Sequence, residues 1–159
     1  MLIVDSREPK ELQRRLAIAM PIVVQALTSA DYVLHDTDGH CLAIERKRGG
    51  DLLSALSRRM KNGNVRLVDQ LDRMQANPDY THCALLQEGD MVLDEATMKV
   101  MGSGWNYGAI QMILWGLHGR GIYRFNTHGH SETVNLLWHL NRRATTNCVL
   151  PKEYAQNQN

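Results

Sequence analysis

Residues 32–35 and 41–47 are short strand-like runs separated by Asp38-Gly39, a pair suited to the left-handed backbone of a tight turn between two strands. This hairpin signal constrains the fold more than any other feature, because it sets two strands side by side and antiparallel. The run 22–27 precedes it after a polar Ser-Ala-Asp step, so a three-stranded meander is expected. Upstream, Leu2-Ile3-Val4 reads as a strand that ends in the polar turn Asp5-Ser6-Arg7-Glu8-Pro9. Leu12, Leu16, Ala17 and Met20 then recur at helical spacing until Pro21 breaks the pattern.

Beyond the hairpin, Gly49-Gly50 is expected to end the strand. Asp51 is the expected cap of a helix whose apolar stripe is Leu52, Leu53, Leu56 and Met60. A turn over 61–64, a helix over 65–75, a loop at Asn77-Pro78 and an apolar strand over 82–86 follow. A helix over 106–117, a strand over 122–125 and a helix capped by Ser131 and running to about 142 complete the pattern. A meander followed by helix-to-strand alternation predicts an α/β fold, a mixed central sheet flanked by helices on both faces. At 159 residues one domain over 1–150 is expected, with 151–159 as a flexible tail.

A formal net charge of +1 excludes attraction of nucleic acid by the whole-chain field, so any such contact must be local. Basic residues do gather, as Arg46, Lys47, Arg48, Arg58, Arg59, Lys61, Arg66 and Arg73, although a charge run alone equally describes a solvated helix face. Cys41, Cys83 and Cys148 are widely spaced, and no long apolar span or His/Cys ligand spacing accompanies them; His128 and His130 read as a turn. A reducing cytoplasm, no membrane and no organic cofactor are expected.

The chemistry sits in Glu45-Arg46-Lys47. On a strand, residues 45 and 47 share one face and Arg46 takes the other, so a carboxylate and an ammonium project together from a rigid support. That pair suits phosphodiester hydrolysis: the carboxylate holds a hard divalent cation and the lysine stabilises or orients the attacking water. One carboxylate rarely suffices for Mg²⁺, so others must lie near; Asp5, Glu8 and Asp31 are the candidates, if strand pairing brings them to one end of the sheet.

Val4-Asp5-Ser6-Arg7-Glu8, Ala30-Asp31-Tyr32 and Glu45-Arg46-Lys47 followed by Asp51, in that order, resemble the nuclease domain of the XPF and Mus-type structure-specific endonucleases, whose signature is GD, a spacer, then ERKxxxD. The likeness runs on through Ser54, Arg58, Gln70-Leu71 and Ala84-Leu85-Leu86, from about residue 2 to 143. It implies a restriction-endonuclease-like core of the PD-(D/E)xK type, in which Asp31 and Glu45 bind Mg²⁺ or Mn²⁺, with the Arg46 carbonyl as a further ligand. It also implies that Lys47 acts on the attacking water and that Asp5 and Glu8 hold water ligands of the metal or a second ion. Asp51 matches the final acid of the motif, a role compatible with capping a helix.

Arg7 either touches the scissile phosphate or pairs with Asp5 or Glu8, and Arg46 either supports neighbouring carboxylates or contacts phosphate. Ser54 and Arg58, four apart on the expected helix, together with Gln70 and Arg73, are candidates for gripping the DNA backbone. Ala30 stands where the family has Gly, which matters if that position needs a positive φ. Relatives commonly carry a helicase or tandem helix-hairpin-helix module for which this length leaves no room, so branched-substrate selection is expected from the nuclease domain, a homodimer or a partner. Ile110, Ile113, Leu114, Leu117, Leu137 and Trp138 are the candidates for a pairing surface, with core packing as the competing explanation. The expected activity is endonucleolytic cleavage of a Holliday junction, fork or flap; the rivals are a nuclease on unbranched DNA and a non-catalytic scaffold of the same fold.

Overall fold

In the computed structural model, residues 1–58, 60 and 63–146 are described. The expectations for Arg59, Lys61, Cys148 and the tail 151–159 lie outside the described residues. The elements run β1 (Leu2–Asp5), α1 (Lys10–Ala19), β2 (Ile22–Gln25), β3 (Tyr32–His35), β4 (Cys41–Arg48), α2 (Gly49–Ser57), α3 (Arg66–Gln75), β5 (His82–Glu88), β6 (Leu93–Asp94), β7 (Lys99–Val100), α4 (Tyr107–His118), β8 (Ile122–Thr127) and α5 (His130–Thr146). Six strands form one mixed sheet in the order β2-β1-β3-β4-β5-β8, and β6 pairs only with β7. The fold class is the expected one.

The β3–β4 hairpin forms as its turn residues dictate. Gly39 sits at φ +84°, and the Asp36 carboxylate accepts the backbone N–H groups of Asp38 and His40 at 2.9 and 2.8 Å, which pins the turn. The meander does not form. β2 lies at the sheet edge and pairs parallel with β1, while β3 takes the other side of β1 in antiparallel register. Helix α1 supplies the crossover that makes a parallel β1–β2 pair possible.

Strand alternation divides the core in two. Val33, Ala43, Cys83 and Leu85 pack with Leu52 and Leu56 of α2, Leu67 and Leu71 of α3, and Ile110 and Leu114 of α4. Leu2, Tyr32, Ile44 and Leu86 face the other way, onto Leu12 and Leu16 of α1 and Leu137 of α5. Burying both sheet faces in this way provides most of the driving force for folding.

Three boundaries differ from the expected ones. Strand β4 runs to Arg48, and Gly49-Gly50 opens α2 instead of ending the strand, so Asp51 is the third residue of the helix and makes no capping bond. Ser131 likewise lies within the first turn of α5 and accepts a hydrogen bond from Arg15 Nη1 at 3.2 Å. The β6–β7 pair was not foreseen, since two-residue strands carry no periodicity to read.

Candidate active site

The β1–β3–β4 ladder stacks three carboxylates at one end of the sheet. The Asp5 amide donates to the Asp31 carbonyl at 2.8 Å, and the Asp31 amide donates to the Ile44 carbonyl at 2.9 Å, one residue before Glu45. Asp31 Oδ2 accepts the Arg46 backbone N–H at 2.7 Å, which locks the carboxylate against β4. Glu45 and Lys47 continue the Cys41–Ala43 face of β4, their side chains 10% and 14% exposed, and Lys47 Nζ donates to Glu45 Oε1. Asp31, Glu45 and Lys47 open into a cleft of about 370 Å³ whose wall also includes Arg7, Glu8, Gln70 and Arg73. Seven of the residues singled out from the sequence thus meet in one place.

The electrostatics follow from crowding. Burial, then the neighbouring charge of Glu45, pushes the Asp31 carboxyl up to about 7, because two carboxylates held together in a partly dry site resist ionising together. Asp5 goes the opposite way. Its fully buried carboxylate accepts from the Arg7 backbone N–H, Arg7 Nε, Arg7 Nη2 and the Leu27 amide, all at 2.7–2.9 Å. The Arg7 guanidinium, above all, lowers it to about 2. Arg7 itself stays 70% exposed and lines the cleft, so pairing with Asp5 and access to a substrate coexist.

On the opposite sheet face, Arg46 pairs with two carboxylates. Its side chain is 5% exposed; Nε and Nη2 donate to Glu8 at 2.8 and 3.3 Å, and Nη1 donates to Glu88 at 3.0 Å. Tyr32 donates its hydroxyl to Glu8, and Thr133 donates to Glu88 at 2.7 Å. Burial raises the Tyr32 phenol above its ordinary range, with the Glu8 charge adding to the effect, so it remains a donor. This network is saturated enough to offset the burial of three charges.

The remaining residues lie elsewhere. Asp51 lines a separate crevice with Arg48, Glu88 and His130. Ser54 is exposed on α2, but Arg58 follows the helix end in extended conformation, so helical spacing does not place the two on a common face, and neither lines the cleft. Ala30, 2% exposed, does not have a positive φ, so replacing the family's Gly introduces no backbone strain. The sequence reading missed Glu88, Thr28 and Ser29. An acid closing an otherwise apolar strand was the available signal for Glu88, since such a residue is buried only when paired.

Asp36, Asp38 and His40 also gather ligand atoms within 4.8 Å of one another, at the far end of β3 from Asp31. Asp36 is accounted for by the turn it holds together.

Comparison with known proteins bears on this geometry. XPF from Aeropyrum pernix shares the fold, with a TM-score of 0.68 at 21% identity, over 89% of this chain and 63% of that one. The present chain therefore spans less than two thirds of that protein. A search of curated proteins finds no match. The sequence pattern of the ERCC4 domain matches residues 4–140, which take in Asp5, Asp31, the Glu45-Arg46-Lys47 strand and both flanking helix layers, and the chain belongs to the ERCC4 domain family.

Proposed function

We propose that the chain is a Mg²⁺- or Mn²⁺-dependent endodeoxyribonuclease that hydrolyses phosphodiester bonds in branched DNA, acting as a homodimer in the cytoplasm. The observation that carries the reading is the convergence of Asp31, Glu45 and Lys47 in one cleft edged by Arg7 and Arg73. The donor set fits a hard divalent cation, because it is all oxygen and its two carboxylates lie close enough for Glu45 to raise the proton affinity of Asp31. When bound, such a cation polarises the scissile phosphate and makes water more acidic.

The other roles belong to the chain itself. Asp31, fixed by the Arg46 amide, and Glu45 would hold the cation. Lys47, beside Glu45, would stabilise the attacking oxygen of a water that gives up its proton to solvent as it bonds to phosphorus. Arg7 and Arg73 neutralise phosphates on either side of the bond that breaks, and the departing oxygen takes a proton from solvent. Asp5 and Glu8 serve as anchors for Arg7 and Arg46, and Asp51, Ser54 and Arg58 are candidates for contacts with DNA beyond the cleft.

A second copy would find apolar surface on α4, where Met112 and Trp115 are 69% and 70% exposed. Of the residues first considered for this role, Ile110, Leu114, Leu117 and Leu137 are buried in the core, and Ile113 and Trp138 are partly buried against it. A two-fold dimer presents two cleavage sites to a symmetric junction. Free, buried Cys41 and Cys83 suit a reducing compartment, and among the described residues no helix is long and apolar enough to cross a membrane.

The test is cleavage of end-labelled four-way junction, fork, flap and linear duplex by the wild type and Glu45→Ala, with Mg²⁺ or Mn²⁺ and with excess chelator. Metal-dependent cutting of branched forms by the wild type alone supports the reading. Preference for linear DNA would favour the unbranched-substrate rival, and binding without cutting would favour a scaffold.

A further inference from the structure

Four described side chains carry a buried polar atom with no hydrogen-bond partner among the described residues, and two of them, Ser29 with Oγ and Gln70 with Oε1, line the cleft of Asp31, Glu45 and Lys47. Ser29 lies two residues before Asp31, where the chain enters β3. Gln70 projects from α3, whose Leu67, Leu71 and Met74 are fully buried and fix the helix in place. Burying such groups unsatisfied costs stability, so each calls for a partner from outside the chain.

The carboxylates first considered for holding water around a metal are already committed. Asp5 accepts four hydrogen bonds and Glu8 three, all from the protein. A carbonyl oxygen such as Gln70 Oε1 only accepts, so its partner must bring a proton. Phosphate oxygens bring none. The waters around a small divalent cation are strong donors, and Mg²⁺ keeps several of them when bound to few carboxylates.

We propose that Ser29 and Gln70 are positioning residues that accept hydrogen bonds from the hydration shell of a divalent cation held by Asp31 and Glu45, an inference that rests on the metal reading of the cleft. They orient the shell without touching the ion, and so decide which water points into the cleft.

Mn²⁺ titration of the full chain without DNA, with free Mn²⁺ read by electron paramagnetic resonance, tests this directly. Ser29→Ala and Gln70→Met are expected to weaken Mn²⁺ binding by roughly tenfold, the lower end of what loss of an outer hydrogen bond costs a metal site. Their metal-free unfolding midpoints should be unchanged or higher, since each removes an unsatisfied buried group. Ser29→Thr and Gln70→Glu keep an acceptor and should retain wild-type affinity or exceed it. Unchanged Mn²⁺ affinity in both apolar variants would overturn the proposal. So would weakened binding in Gln70→Glu, which would mean that the amide nitrogen faces the cleft as a donor to phosphate. If an apolar variant folds poorly, the Gln70→Glu result alone decides. Asp31→Asn should abolish Mn²⁺ binding; a wild type that binds none would overturn the metal reading and this inference together, whereas binding lost in Asp31→Asn but intact in the apolar variants overturns only the inference.

Discussion

Replacing Asp31 by Asn should stabilise the metal-free protein while ending cleavage. The carboxyl is lifted from 3.8 to about 7 by burial and by Glu45. At about 1.4 kcal/mol per tenfold change in proton affinity, that corresponds to at most about 4 kcal/mol of disfavoured charge above pH 7. Burying the polar Asn amide offsets part of it, so the substitution should return roughly 1–3 kcal/mol, or an unfolding midpoint higher by roughly 3–10 °C for a domain of this size. The Asn side-chain oxygen can still accept the Arg46 amide. The sign follows from proton counting. Below about pH 4 the carboxyl is protonated folded and unfolded alike, and the two proteins should match. Between about 4 and 7 only the folded chain keeps the proton, so wild-type stability from this group falls as pH rises, and above 7 the full deficit persists. The assay is thermal unfolding of both proteins in chelator at pH 4.5, 6 and 8. Equal midpoints at pH 8, or a difference independent of pH, would refute the reasoning.

Arg46→Met should cost about 3–5 kcal/mol, because it leaves Glu8 and Glu88 buried without their shared cation; a urea midpoint equal to wild type with impaired DNA binding would instead make Arg46 a phosphate contact. Arg73→Ala should weaken binding of all DNA forms alike and reduce the slope of log affinity against log salt by about 1, as expected for one lost phosphate contact. Trp115→Glu should leave folding intact, since the side chain is 70% exposed, and should convert a dimer to a monomer in light scattering; a persistent dimer would place the pairing surface elsewhere.

What could be read from the chain was local. Asp38-Gly39 announced the hairpin, and the hairpin brings Asp31 and Glu45 together within a short loop of sequence. The two faces of β4 were legible because alternation alone separates Glu45 and Lys47 from Arg46. Strand β2 was misplaced because its neighbour is chosen by a long-range partner, β1, and nothing in Ile22–Gln25 distinguishes pairing with β1 from pairing with β3. Helix starts at Gly49 and His130 were misjudged because cap-forming residues, Asp51 and Ser131, lie just inside helices that begin without their help. Arg46 stayed ambiguous for a related reason: Glu8 and Glu88 are 38 and 42 residues away, and only the folded sheet brings them to it.

The alternation along β4 also acts as a check on assembly. Slipping this strand by one residue against its neighbours would turn Arg46 away from Glu8 and Glu88 into the cleft and bring Glu45 to the face that holds those two buried carboxylates. Misaligned states are therefore penalised by the same side chains that line the cleft and anchor the strand behind it. A one-residue insertion within Cys41–Arg48 should consequently be intolerable, whereas one at Thr37 to Gly39, in the turn beyond the last rung of the hairpin, leaves both faces in phase.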